Sequence, residues 1–272
     1  MNKTAAIILT IIISLLMVLT SCEDNTSPKP AETDYYPLTI GNYWIFNTYD
    51  LNSNHQKISG TEKRDSIVVE ENHEIEGRTA FLLYVYRNNQ IYDTIYIARE
   101  NQNIYMLFDE NDIDVPNFKK QWCIIADFSK TINTEWHLYD SILTNYSYNF
   151  EGSTINTTYH HTINGKLENI ENFQIKDTSY KSKIFQIKYD TRLYFIYKFP
   201  DDISTTEVEV YRLRQKYFHF TFAENIGLVR IKYDPYVVST RTDPGTSYSK
   251  TESHNGWQSD LIDYSIITLK TN

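Results

Sequence analysis

Phe185-Gln186-Ile187-Lys188-Tyr189 and, beyond Asp190-Thr191, Arg192-Leu193-Tyr194-Phe195-Ile196-Tyr197-Lys198-Phe199 place apolar or aromatic side chains at every second position. Successive side chains of a strand point to opposite faces, so a period of two gives one apolar and one wetter face. The spacing predicts a hairpin of two half-buried strands turning at Asp190-Thr191.

The same signal recurs on both sides. Ser66 to Val69, Phe81 to Tyr86, Ile91 to Ala98 and Ile104 to Phe108 are β-branched or aromatic runs. Gly77, Asn88-Asn89 and Glu100 to Asn103 separate them, as in an antiparallel meander. Phe81 to Tyr86 is apolar without alternation, which predicts a central strand covered on both faces. Leu143 to Phe150 and Ile155 to Ile163 follow, with Asn164-Gly165 as a further hairpin turn. Val208 to Leu213, Phe218 to Phe222 and Leu261 to Leu269 complete the set. Between residues 109 and 141 the reading is loop, buried segment over Trp122 to Phe128, then loop, with a short helix near Asn117 to Trp122. No long segment has a 3.6-residue period, and no internal repeat is present. The fold class is mainly β and antiparallel, either two packed sheets or one strongly curved, partly closed sheet. A curved open sheet is similar in shape to lipoprotein carriers, an analogy that assigns no function.

Two motifs bracket this domain. Tyr35-Tyr36-Pro37-Leu38-Thr39-Ile40-Gly41-Asn42-Tyr43-Trp44-Ile45-Phe46 combines a turn pair capable of positive φ, Gly41-Asn42, with the start of an apolar strand. In Phe222-Ala223-Glu224-Asn225-Ile226-Gly227-Leu228-Val229-Arg230, Asn225 and Gly227 permit a tight turn. Val229, Ile231 and Tyr233 then alternate with Arg230 and Lys232. Together the two resemble the "PLxxGNxW" and "IGLV" signatures of β-rich lipoproteins from Bacteroidetes-type bacteria, a set that carries no agreed activity.

The amino terminus gives an address. Lys3 precedes an apolar run from Ala5 to Leu19, the arrangement of a secretory signal. The run stops at Thr20 and is followed by Glu23 and Asp24, which is short for a membrane span. Leu19-Thr20-Ser21-Cys22 resembles the lipobox of bacterial lipoproteins. That resemblance implies cleavage before Cys22 and acylation of its thiol and new amino group, and two or three acyl chains hold a protein at a membrane. Glu23-Asp24-Asn25 resembles the acidic surface-export signals of Bacteroidetes-like bacteria. The expected organisation is signal peptide 1–21, lipidated Cys22 and flexible tether 22–34, and a single β-rich domain 35–272. The expected location is the cell envelope, at the outer membrane, on its periplasmic or surface face.

Of the 272 residues, 26 are cationic and 35 acidic. Removing residues 1 to 21 takes away Lys3 and leaves 25 cations, a formal charge of −10, which argues against nucleic acid or anionic lipid as a partner. With Cys22 consumed by lipid, Cys123 stands alone, so no internal disulfide forms and a buried structural thiol is expected.

The chain lacks G-x-S-x-G, H-E-x-x-H, Walker and Rossmann patterns, so no catalytic residue, cofactor or metal is assigned and the protein is read as a non-enzyme. His160 and His161 are adjacent and point to opposite faces of a strand, which prevents joint ligation of one metal. Asp109-Glu110-Asn111-Asp112-Ile113-Asp114 has clustered oxygens but neither the glycine nor the terminal glutamate of an EF-hand, and is read as a solvated acidic loop. The 23 tyrosines mostly fall on alternating strand positions, where packing explains them. Trp257, within Ser253-His254-Asn255-Gly256-Trp257-Gln258, is the one candidate ligand-binding residue, expected on an exposed loop. Asp65-Ser66-Ile67, Asp93-Thr94-Ile95 and Asp140-Ser141-Ile142 resemble Bacteroidetes O-glycosylation acceptors.

The leading functional reading is a lipid-anchored envelope protein whose β domain binds an unidentified protein, lipid or glycan. One alternative is a carrier holding an apolar ligand in a concave sheet, which requires a continuous apolar cavity. The other is a glycan-binding or glycan-processing accessory, which requires exposed aromatics beside carboxylates.

Overall fold

The computed structural model describes residues 33–110, 113, 115–197, 208–242 and 249–267. Residues 1–32, which hold the expected signal segment, Cys22 and most of the expected tether, lie outside them. Asp34, the last residue assigned to the tether, is docked: its carboxylate accepts from the Tyr36 amide at 2.9 Å and pairs with Arg99 at 2.6 Å.

From Asp34 onward the chain is one compact unit built entirely of strands among the described residues. In chain order they are β1 (Tyr43–Leu51), β2 (Lys63–Ile75), β3 (Arg78–Arg87), β4 (Gln90–Glu100), β5 (Asn103–Phe108), β6 (Gln121–Asp127) and β7 (Glu135–Phe150). Then come β8 (Ser153–Ile175), β9 (Thr178–Tyr197), β10 (Val208–Ala223), β11 (Gly227–Tyr233), β12 (Tyr236–Thr242), β13 (Ser249–His254) and β14 (Gly256–Ser265). All pair antiparallel into one sheet of order β6-β5-β4-β3-β2-β1-β14-β11-β10-β9-β8-β7, with β12 branching from β10 and carrying β13. The curved single sheet is therefore the correct alternative, and two packed sheets are not formed.

Curvature has a local cause. Register shifts at Ile45/Phe46, Val69/Glu71, Val85/Tyr86, Leu167/Asn169 and Thr221/Phe222 insert bulges that bend and twist the strands. The bend brings the two ends of the sheet together. No ladder joins β6 to β7, yet the Trp136 indole donates to the Ile124 carbonyl at 3.0 Å and the Asn133 amide to the Leu167 carbonyl at 2.7 Å.

The hairpin turns follow the predicted chemistry at Glu76-Gly77 and Asn88-Asn89, where both residues adopt positive φ, matching the twist of the flanking strands. Two expected turns do not exist. Asn164-Gly165 and Asp190-Thr191 lie inside β8 and β9, paired across to Lys188-Ile187 and Thr162-His161. Gly165 is needed there because a Cβ would sit 2.2 Å from the Trp136 ring. Thr191 faces inward and is buried, its hydroxyl 2.7 Å from His161 Nδ1. The short helix expected near Asn117 is also absent: Asn117 has φ 60° in a turn, and β6 begins at Gln121.

The two bracketing motifs meet in the core. Trp44 is buried and its indole donates to the Ile226 carbonyl at 2.7 Å. Tyr36 packs against both Trp44 and Phe222, with ring centroids 5.4 and 5.3 Å away. Gly227, at φ 97°, has Tyr36, Trp44 and Pro37 where a side chain would stand. Phe128, Phe185 and Phe222 extend this aromatic packing across the interior. Cys123 belongs to the same core, and burial pushes its thiol up to about 11, so it is a neutral structural residue.

Candidate functional site: two clefts on the concave face

Among the described residues, inward-facing positions line two clefts, and a wider opening of about 640 Å³ is lined by His160, Arg192, Tyr194 and Tyr211 on the outer face. The larger inward cleft, about 390 Å³, is floored by Phe46 and Ile67 and by Val85, Ile95 and Ile231. Through this apolar floor runs a chain of polar contacts. Ser259 Oγ lies 2.7 Å from Thr48 Oγ1, which donates to Asp65 at 2.8 Å. Arg87 donates twice to the same carboxylate, at 2.7 and 2.8 Å, and its guanidinium lies 3.9 Å from the centre of the Tyr92 ring.

Register creates this group. Asp65 stands opposite Arg87 on β3, and Thr48 stands opposite Ser259 on β14. Burial opposes the Asp65 charge, but the Arg87 and Thr48 hydrogen bonds and the Arg87 charge outweigh it and hold the carboxyl below its usual range. An ionised carboxylate with those partners is an acceptor already occupied, which suits it to shaping the floor rather than to donating a proton.

Trp257 belongs to this cleft. It lies on β14 rather than on a loop, half-buried, opposite Asp50 and Tyr233. Its inward direction follows from its parity with Ser259 and Leu261, both buried. Gly256 makes this position possible, because a Cβ there would meet the Tyr233 carbonyl oxygen at 2.2 Å and Pro235 at 2.6 Å. Sequence reading singled out Trp257 but missed Asp65, Arg87, Thr48 and Tyr92. The available signal was a charge at an inward position: Asp65 shares the face of Ile67 and Val69, where an unpaired carboxylate would be costly.

The second cleft, about 240 Å³, lies over β7 to β10 and β12 to β13. Tyr146, Tyr159 and Tyr236 line it together with Arg212, Arg214, Glu252 and His254. Arg212 donates to Glu252 at 3.1 Å, and His254 stacks on Tyr236 at 4.5 Å with the planes 8° apart.

Other candidates resolve differently. His160 is partly exposed and pairs with Asp140 at 3.0 Å, whereas His161 is buried, so the two do point apart. Of the acidic run, Asn111, Asp112 and Asp114 lie outside the described residues, while Ile113 is buried. Ser66, Thr94 and Ser141 all sit on strands; Thr94 is exposed and the two serines are half-buried. Asp65 of the first tripeptide is occupied by Arg87.

No family model and no curated protein matches the chain. Two solved structures share its outline over 86% of this chain and 99% of their own, each at 11% identity. One is a candidate lipoprotein from Parabacteroides distasonis, with a TM-score of 0.40. The other is a candidate exported protein with a YmcC-like fold from Bacteroides fragilis, with a TM-score of 0.39.

Proposed function

We propose that this chain is a lipid-anchored cell-envelope protein whose β domain binds a neutral, hydroxyl-rich ligand of the saccharide class at the mouth of the curved sheet. The observation that carries the reading is the first cleft, where Trp257 and Tyr92 flank an Arg87–Asp65 pair set in an apolar floor. A sugar ring has apolar C–H faces that cover an aromatic side chain, and hydroxyls that both donate and accept, for which Lys63 and Asp93 of the same lining offer a donor and an acceptor beside the already-paired Arg87 and Asp65. Binding, rather than catalysis, is what an already-paired Asp65 supports.

The carrier alternative fits less well. Trp44, Phe128, Phe185 and Phe222 pack together in the core, which leaves no room for an apolar ligand among those rings. Anchoring rests on Leu19 to Cys22 and on nothing in the described fold.

Two measurements test the reading. Soluble protein from residue 33 onward should bind neutral glycans on an array, with loss of signal in Trp257→Ala; an array without neutral-glycan signal sinks the saccharide class, and binding that survives the substitution removes Trp257. Radiolabelled palmitate should enter the full chain in its native host type and fail to enter Cys22→Ala, and label retained by the variant would remove the anchor.

A further inference from the structure

The surface between the two clefts is aromatic. From Trp257 the ring of Tyr233 is 6.4 Å away, Tyr236 is 5.7 Å beyond it, and His254 lies 4.5 Å further, stacked on Tyr236. All four residues are half-buried. Phe218, the cross-strand partner of Tyr233, stacks on it at 4.5 Å and Tyr189 braces Phe218 at 5.3 Å, which fixes the middle of the lane from the side. Neither cleft needs this lane to be closed, and core packing alone does not explain rings that stay partly open along a concave face.

Charge narrows the ligand. The first cleft offers Asp50, Asp65 and Asp93 against Lys63 and Arg87, a formal −1. The second offers Arg212 and Arg214 against Glu252, a formal +1 with His254 neutral. The two clefts cancel, and Lys216, its ammonium 5.3 Å from the centre of the Tyr236 ring, adds one cation on the lane, so the face carries too little net charge to select an anionic or a cationic polymer.

Building on the saccharide reading above, we propose that the two clefts and the Trp257–Tyr233–Tyr236–His254 lane form one extended binding surface for a linear, neutral oligosaccharide. One end of the chain lies over Trp257 in the larger cleft. Successive rings pass over Tyr233 and Tyr236, and the far end meets the Arg212–Glu252 fork.

Isothermal titration of residues 33–272 with di- and hexasaccharides of cellulose, mannan and chitin tests this. The hexamer of the bound series should bind about tenfold or more tightly than its dimer, as expected when further rings contribute. Tyr236→Ala should weaken hexamer binding by about tenfold and leave the dimer unchanged, whereas Trp257→Ala should weaken both. Tyr236→Phe keeps the ring and should retain hexamer binding, and its agreement with wild type in circular dichroism and affinity guards against a folding artefact. A hexamer no tighter than the dimer, or a Tyr236→Ala variant indistinguishable from wild type, overturns the extended surface while leaving a single saccharide cleft. Failure of every oligosaccharide to bind wild-type protein, or binding of an extended peptide instead, overturns both readings.

Discussion

At Gly165 a hydrogen occupies the only space left between β8 and the Trp136 ring. The adjacent Asn164-Gly165 pair has hairpin chemistry, but each residue is tied into a continuous ladder to β9, and the ring uses the bare backbone as its seat. Trp136 in turn bridges the open seam through the Ile124 carbonyl. Gly165→Ala should therefore cost about 1–3 kcal/mol in urea unfolding, the usual range for overpacking. The cost should shrink in a Trp136→Ala background, because the two residues share one contact. Equal costs in both backgrounds would mean that the ring is not the obstacle. Trp257 shows the same dependence on a neighbouring glycine: without Gly256 the chain could not bring the indole beside Tyr233.

Between elements, the informative pairing is β2 with β3. Asp65 and Arg87 face each other across the ladder in a cleft whose floor is largely apolar, so each charge is tolerated because of the other. Arg87→Met should destabilise the protein by about 1–3 kcal/mol, toward the lower end because the guanidinium keeps some water contact. Adding Asp65→Leu to that variant should recover part of the loss, since no uncompensated charge then remains. Thermal unfolding of Arg87→Met, Asp65→Leu and the double variant decides this; a double variant as weak as the sum of both single losses would show that the pair does more than neutralise itself. A comparable arrangement spans β10 and its neighbours on the outer face. His219 lies 2.7 Å from Glu168 and 2.9 Å from Asp234, and Asp234 also pairs with Lys232 at 2.7 Å.

For the whole molecule, that outer cluster sets a pH window. Burial disfavours a charged His219, but the bonds to Asp234 and Glu168 outweigh it and raise its pKa. Its stabilisation is thus complete below the unfolded value of about 6.5 and fades as pH rises through the higher folded value. Burial likewise opposes the Asp234 charge, yet His219 and Lys232 bring its carboxyl down to about 2. That contribution is complete above the unfolded value of about 3.9 and is lost as pH falls toward about 2. The cluster should stabilise most between about pH 4 and 6.5. Comparing melting temperatures of wild type and His219→Gln across that range and beyond should show the largest gap inside the window; a gap independent of pH would refute the assignment. The same scale explains why the ends of the domain matter. Trp44 near its start and Ile226 near its end are joined by one buried hydrogen bond, and β14 returns to lie between β1 and β11.

Alternation and turn chemistry, both local, were enough to read the β class, the meander of β2 to β5 and the opposed directions of His160 and His161. The stretch Leu19 to Cys22, on which the proposed anchor rests, is local as well, because processing enzymes read such a motif as a linear segment. Where sequence reading failed, a long-range contact overrode a local preference: Asn164-Gly165 and Asp190-Thr191 continue strands because a ladder partner and a buried inward neighbour stabilise extension more than a turn would. The candidate site was legible only as Trp257 and as a carboxylate on an apolar strand face. Which arginine meets Asp65, and which rings line up from Trp257 to His254, depends on register across strands distant in the chain. Only the closing of the curved sheet sets that register, since a shift of one residue would turn every one of those side chains to the opposite face.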